Sequence, residues 1–235
     1  LVILLVVAVI NIFSRHLLAV INNISVWWHV AGAATVILIL FLVPDHHASF
    51  SDVFAKTVNN SGMFGGATSG FGWLLLVLPI SAILTQYTIT GYDASAHLSE
   101  ETKSAANAAA KGIWRSIFYS AIGGWILLLS FLFAVQDSDG VSKAGGAVAS
   151  IFSQALTSKW AAMVLFISTA GQLFCTTACQ TSASRMLFAF SRDRAVPGHQ
   201  LWSKVNANRV PANAVMITAA VAALLTLPAL VKVDI

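Results

Sequence analysis

The chain has 235 residues, 57% of them hydrophobic and only 9% charged, with a formal net charge of +4. A soluble domain carries about 25% charged residues, so this composition excludes a dispersed soluble protein and predicts one that lives in a lipid bilayer. The basic residues are dispersed between apolar stretches, which excludes a nucleic-acid partner, and no cofactor is expected.

In chain order, residues 1–13 are an apolar run with no basic region before it, so they do not read as a signal peptide. They read as the stump of a helix, and the chain as a fragment. Further spans are expected at 17–43, 71–97, 112–135, 160–190 and 211–231. The whole, 1–235, is then a single all-α transmembrane domain, a multi-span helical bundle. Residues 144–158 are too short and too mild to span, and predict a re-entrant or interfacial helix on the outer side. After Ser99, the acids Glu100 and Glu101 and an Ala-rich run to Lys111 predict a helical start in the loop 98–111.

Charge sets the orientation. Arg15, then Lys103, Lys111 and Arg115, then Arg185, Arg192, Arg194, Lys204 and Arg209 fall on alternate sides of the spans, nine of the thirteen Lys and Arg. The positive-inside rule places these nine in the cytoplasm. Lys56, Lys143, Lys159 and Lys232 fall on the other side, as does the sequon Asn59-Asn60-Ser61, which decides nothing alone. The span 71–97 therefore runs inward.

That span fails halfway. Phe71–Leu84 is almost wholly apolar, and is followed by Thr85-Gln86-Tyr87-Thr88-Ile89-Thr90-Gly91-Tyr92-Asp93-Ala94-Ser95-Ala96-His97. Backbone can leave a helix at membrane depth only where protein or a water-filled cavity satisfies it. Such an interruption is the best sequence pointer to a transporter's substrate site. The expected break lies near 88–92, where Gly91 permits unusual dihedrals and Thr88, Thr90 and Tyr92 can bond a ligand or the loosened backbone. The alternative is a polar helix end emerging into the cytoplasm.

Asp93 is the lone carboxylate of this span; it could take up a proton or sit as an interfacial helix-end charge. His29 lies mid-span in a stripe with Asn22, Ser25 and Gly32. It could carry a proton or stand as a fixed cation, or be a histidine bonded to a backbone carbonyl. On 160–190, Ser168, Gln172, Thr176, Cys179, Gln180 and Ala183 crowd one side, suiting close helix packing or a permeation path. Cys175 and Cys179 read as small packing residues rather than a disulfide. Asp45-His46-His47 reads as a solvated face, so no metal is expected. Arg185 and Arg192 could meet Glu100 or Glu101 as an inner gate.

Thr90 to Thr102 resembles the sixth helix and following loop of amino-acid permeases in the amino acid–polyamine–organocation superfamily. Ser184-Arg185-Met186-Leu187-Phe188-Ala189-Phe190-Ser191-Arg192-Asp193, followed by Val196-Pro197, is similar to the end of the eighth helix. Asn22 to His29 is similar to the fifth. The combination resembles the amino acid/choline branch with its GABA and choline permeases, over helices four (partial) to nine.

The resemblance implies a five-plus-five inverted-repeat fold whose broken first and sixth helices hold the substrate, the first three helices lying outside this sequence. It places the substrate against Tyr87, Thr88, Ile89, Thr90, Gly91 and Tyr92, with Thr176 and Cys179 facing it from the eighth helix. Asp93 falls at an acidic position just inward, and His29 falls where several relatives carry a lysine that takes part in proton coupling. The implied function is secondary active transport, by alternating access, of an amino acid (GABA-like or other), driven by a proton or sodium gradient, in the cell membrane. A choline or polyamine transporter of the same fold, a channel-like structural subunit, or an intramembrane enzyme using Cys175, Cys179 and His29 are the competing readings.

Overall fold

A computed structural model of the chain describes all residues except 1, 14, 60, 100, 101, 144, 145 and 231–235. Glu100 and Glu101, proposed above as gate partners, and Lys232 lie outside the described residues. Among the described residues the secondary structure is entirely helical.

The helices in chain order are α1 (Val2–Phe13), α2 (Arg15–Leu42), α3 (Phe50–Phe54), α4 (Leu78–Gln86), α5 (Ala94–His97), α6 (Ala105–Ala134), α7 (Ser138–Lys143), α8 (Ala147–Ala155), α9 (Ser158–Arg192), α10 (His199–Trp202) and α11 (Ala212–Thr226). Three stretches are long and apolar enough to cross a bilayer, namely His16–Leu42, Ala105–Ala134 and Ser158–Arg192. Val2–Phe13, Trp73–Ile89 and Ala212–Thr226 are shorter apolar helices. At 35 residues α9 is roughly 50 Å long at 1.5 Å per residue, well beyond the 30 Å hydrocarbon core.

Local chemistry explains several boundaries. The helix α6 starts at Ala105 because the Ala-rich run, the best helix former, joins the apolar run without a stop. Before α4, Trp73–Val77 forms a π-turn in which the Leu78 N–H bonds the Trp73 carbonyl. Pro79 supplies the reason: it has no N–H and its ring crowds the carbonyl four residues back, so the turn widens.

The chain divides into two compact units. One comprises Leu1–Val30, Asp93–Ile113 and Ser168–Ile235. In it α1 packs on α11 through Ala8, Val210 and Val215, and Asn208 Nδ2 donates to the Phe13 carbonyl at 2.9 Å, satisfying one of the acceptors that a helix end leaves open. Asn11 is buried. Its Nδ2 donates to the Val7 carbonyl and its Oδ1 accepts from Thr181 of α9 at 2.6 Å.

The other unit comprises Ala31–Tyr92 and Trp114–Ile167. Its core joins Val36, Ile39 and Leu40 of α2, Ala134 of α6, Ile151 and Phe152 of α8, Leu156, and Val164 of α9. The short helix α8 thus buries its apolar residues against the ends of three long helices. Outside the spans, Ser49 caps α3: the Asp52 N–H reaches Ser49 Oγ at 3.1 Å, and the hydroxyl donates to Asp52 Oδ2 at 2.6 Å. That hydroxyl bond holds the exposed Asp52 carboxyl below its ordinary pKa.

Candidate functional site

The helical ladder of α4 tightens into a 3₁₀ turn at Tyr87–Ile89 and then stops. Thr90 is extended (φ −62°, ψ 137°) and Gly91 has φ 87°. The Tyr92 N–H reaches back to the Ile89 carbonyl at 3.3 Å. These values define a type II turn over Ile89–Tyr92, whose third position requires positive φ and therefore favours glycine. Helical bonding resumes when the N–H groups of Ala96 and His97 meet the Asp93 carbonyl. Among the described residues, the N–H groups of Gly91 and Asp93 make no backbone hydrogen bond. A Cβ placed on Gly91 would meet nothing within 4 Å, so the turn faces open space.

Within its own unit this interruption is held from behind by α6. A Cβ on Gly124 would lie 2.4 Å from Thr88 Cγ2, so glycine is what lets α6 approach the 3₁₀ turn. Ser116 Oγ donates to the Tyr92 carbonyl at 3.4 Å. Tyr87 is exposed, and Thr90 Oγ1 donates to the Gln86 carbonyl at 3.3 Å. The Thr90 hydroxyl therefore bonds its own strand of backbone.

Past the turn, the first unit holds Asp93 and α5. Ser95 Oγ donates to the Ala109 carbonyl of α6 at 3.2 Å. Asp93 Oδ2 is 3.4 Å from His97 Nε2, and His97 Nδ1 is 2.7 Å from Ser182 Oγ on α9. Neither His97 nor Ser182 stands out in the sequence as a site residue. The spacing of Asp93 and His97, four apart on one helical turn, was the available signal.

In the same unit α2 and α9 meet beside His29. Its Nδ1 donates to the Ser25 carbonyl at 2.7 Å, and its ring lies 6.5 Å from that of Phe174. A Cβ on Gly171 would sit 3.6 Å from His29 Nε2, ordinary contact. Thr176 Oγ1 donates to the Gln172 carbonyl at 2.8 Å; Cys175 and Cys179 are free thiols, Cys179 exposed. Gln180 does not share their surroundings. It is buried and donates to the Val215 carbonyl and Thr218 Oγ1 of α11, at 2.8 and 2.7 Å. The polar side of α9 is thus divided between an open face at Cys179 and a helix-packing face at Gln180.

Arg185 is buried and lines a cavity of about 200 Å³ with Leu18, Asn22, Leu98, Thr102 and Thr181. Arg192 pairs with its neighbour Asp193 at 3.2 Å. A further cavity, of about 330 Å³, lies in the second unit between Asp52, Lys56, Leu132 and Gln136, away from the interrupted helix's candidate residues.

The sequence model of the amino acid permease family matches residues 1–234. The chain belongs to this family. It is 33% identical to the amino-acid permease BAT1 of Arabidopsis thaliana over 233 residues, 95% of this chain and 44% of that protein. It is 35% identical to the amino-acid permease BAT1 homolog of Oryza sativa subsp. japonica, over 95% of this chain and 44% of that protein. A choline transporter of Saccharomyces cerevisiae is 26% identical over 74% of this chain and 31% of its own length. This permease-family chain therefore spans less than half the length of the curated relatives it matches. No solved structure matches it. Family membership and the three helices long and apolar enough to cross a bilayer make it a multi-pass integral membrane protein.

Proposed function

We propose that the full-length protein is a secondary active transporter for an amino acid, working by alternating access and driven by an ion gradient across the cell membrane. The observation that carries this reading is the type II turn at Ile89–Tyr92, which follows the apolar stretch Phe71–Leu84. It leaves the peptide N–H groups of Gly91 and Asp93 without a backbone hydrogen bond, Gly91 facing open space. Freed amides of this kind, beside a half-helix end, suit the carboxylate of a zwitterion. In this reading Tyr87, Thr88, Ile89, Thr90, Gly91 and Tyr92 supply the substrate contacts on one side. Thr176 and Cys179 of α9 supply the other, and Asp93 and His29 bear on the coupling ion, proton or sodium.

The similarity to amino-acid permeases supports an amino acid as cargo. The similarity to a choline transporter favours a second reading, in which the cargo is a small amine. Reconstituting the full-length protein into proteoliposomes with imposed proton or sodium gradients tests both. Saturable uptake of labelled amino acids, competed by unlabelled amino acid, supports the first reading. Uptake of choline or a polyamine without amino-acid uptake supports the second. Non-saturable flux that no gradient drives uphill would refute the transporter reading.

A further inference from the structure

His97 stands between an acceptor and a hydroxyl, on two elements far apart in sequence. Asp93 Oδ2 lies 3.4 Å from its Nε2, and Ser182 Oγ lies 2.7 Å from its Nδ1. Neighbouring hydroxyls on α9 bond back onto their own helix: Thr177 to the Leu173 carbonyl, Thr181 to the Thr177 carbonyl, Ser184 to the Thr181 carbonyl. Ser182 lies among them and meets the imidazole instead.

We propose that His97 is a proton-binding site, with Asp93 and Ser182 as its two fixed partners, and that it takes up a proton in each transport cycle. The proposal rests on the transport reading above. A neutral imidazole has one N–H and one lone pair, and a carboxylate only accepts. The hydrogen therefore sits on Nε2, facing Asp93, and the Nδ1 lone pair accepts the Ser182 O–H. A proton arriving from water bonds to Nδ1. The new N–H donates to Ser182 Oγ, and the Ser182 hydrogen turns to the Ala178 carbonyl, the i−4 position that Thr177 and Thr181 use on their own carbonyls. One N–H bond forms, one hydrogen bond reverses direction, and the positive ring faces Asp93. Both protonation states keep a hydrogen bond at Nδ1, which is what a site that must load and unload requires.

His29 is held differently: its Nδ1 lies 2.7 Å from the Ser25 carbonyl and 3.3 Å from Ser25 Oγ, so Nδ1 keeps its hydrogen and a further proton would go to Nε2.

The charged groups around His97 set its field. On its own segment that group is Asp93. On α9 it is Arg185, three residues past Ser182, which lines the adjoining cavity with Leu98. The helix α6, which meets the segment at Ser95 through the Ala109 carbonyl, carries the exposed Lys111. The helix α2 contributes Leu18, Ala19 and Asn22 to that cavity, with His16 exposed near its start. Because α5 directly follows the turn at Gly91, a proton on His97 ties the inner continuation of the interrupted helix more firmly to α9, and its loss loosens that tie.

The test uses the full-length protein in proteoliposomes, with labelled substrate and an internal pH dye. For one coupled proton, one unit of inward pH gradient drives about tenfold accumulation of substrate. Wild type should accumulate substrate and acidify the lumen. His97→Gln should lose accumulation and substrate-linked acidification while still exchanging labelled for unlabelled substrate. If that variant also loses exchange, Ser182→Ala decides: without the hydroxyl that meets Nδ1, accumulation and substrate-linked acidification should fall while exchange persists. Wild-type accumulation and acidification in His97→Gln would overturn the proposal, as would wild-type acidification in Ser182→Ala. Wild-type exchange without acidification would overturn the proton site and leave the transporter standing. No accumulation or exchange by wild type would remove both.

Discussion

Replacing Gly91 with alanine separates an interrupted backbone from a continuous helix by the sign of its effect. Gly91 holds φ 87° as the third residue of a type II turn, and a Cβ there meets nothing within 4 Å. The change therefore introduces no clash and acts through the backbone alone. An L-residue in the left-handed region costs about 1–2 kcal/mol. The reduced freedom of the unfolded chain offsets about 0.4–1 kcal/mol of that. The net expectation is destabilisation of about 1 kcal/mol. In a continuous helix the same substitution would stabilise by about 1 kcal/mol, since glycine is that much poorer than alanine there. Thermal unfolding of the purified full-length protein in detergent, followed by the fluorescence of its tryptophans, reads the sign directly. The Tm should fall by about 1–2 °C, half the shift of a chain of roughly 150–250 residues, since relatives of this protein are more than twice its length. Gly91→Asn should fall less, because asparagine tolerates the left-handed region. A higher Tm for Gly91→Ala would refute the turn and with it the exposed amides.

Three further outcomes follow from the packing and from a perturbed carboxyl outside the spans. Gly124→Ala would press a methyl to within 2.4 Å of Thr88 Cγ2; it should cost about 1–3 kcal/mol and raise KM for uptake, and Thr88→Ser, which deletes that carbon, should restore both. Phe152→Ala removes a ring only 3% exposed from the core of the second unit and should destabilise by about 3–5 kcal/mol, read as lost heat resistance in the same melt with little change in KM. The Asp52 carboxylate, held low by the Ser49 hydroxyl, should steady the Ser49 cap of α3 at pH above the ordinary carboxylate range. The cap should be lost only as pH falls through the lowered folded value; Ser49→Ala should return the NMR titration of Asp52 to ordinary pH, and an unmoved midpoint would contradict the assignment.

The membrane class was legible from composition because 9% charged residues cannot clothe a soluble surface. The long helices were legible as apolar runs, but their ends were not. The start of α6 was legible in part: the Ala-rich run predicts helix within the loop 98–111, but its fusion with the span 112–135 into one helix from Ala105 depends on propensity, which continues where hydropathy fades. The turn at Gly91 carried a local signal, a glycine among hydroxyls after an apolar stretch. The π-turn at Trp73–Val77 carried one too, in Pro79, but a single proline does not say whether a helix bends, widens or begins. Long-range partners were hidden. His97 and Ser182 are 85 residues apart, and nothing at either position names the other. Gln180 sits beside Cys179 in sequence, yet it packs on α11 because its amide finds the Val215 carbonyl there. Helical periodicity groups residues by face, and cannot tell which neighbour that face will meet.

The central claim is that the substrate sits against the turn at Ile89–Tyr92. Its most direct test is substrate protection in the full-length protein with Cys175 and Cys179 replaced by serine and Thr90 by cysteine, once that background is shown to take up substrate. Saturating amino acid should slow labelling of the new thiol by a small polar maleimide about tenfold or more, as expected when bound ligand occupies over 90% of sites. A labelling rate indifferent to substrate, in protein that still transports, would place the binding site elsewhere.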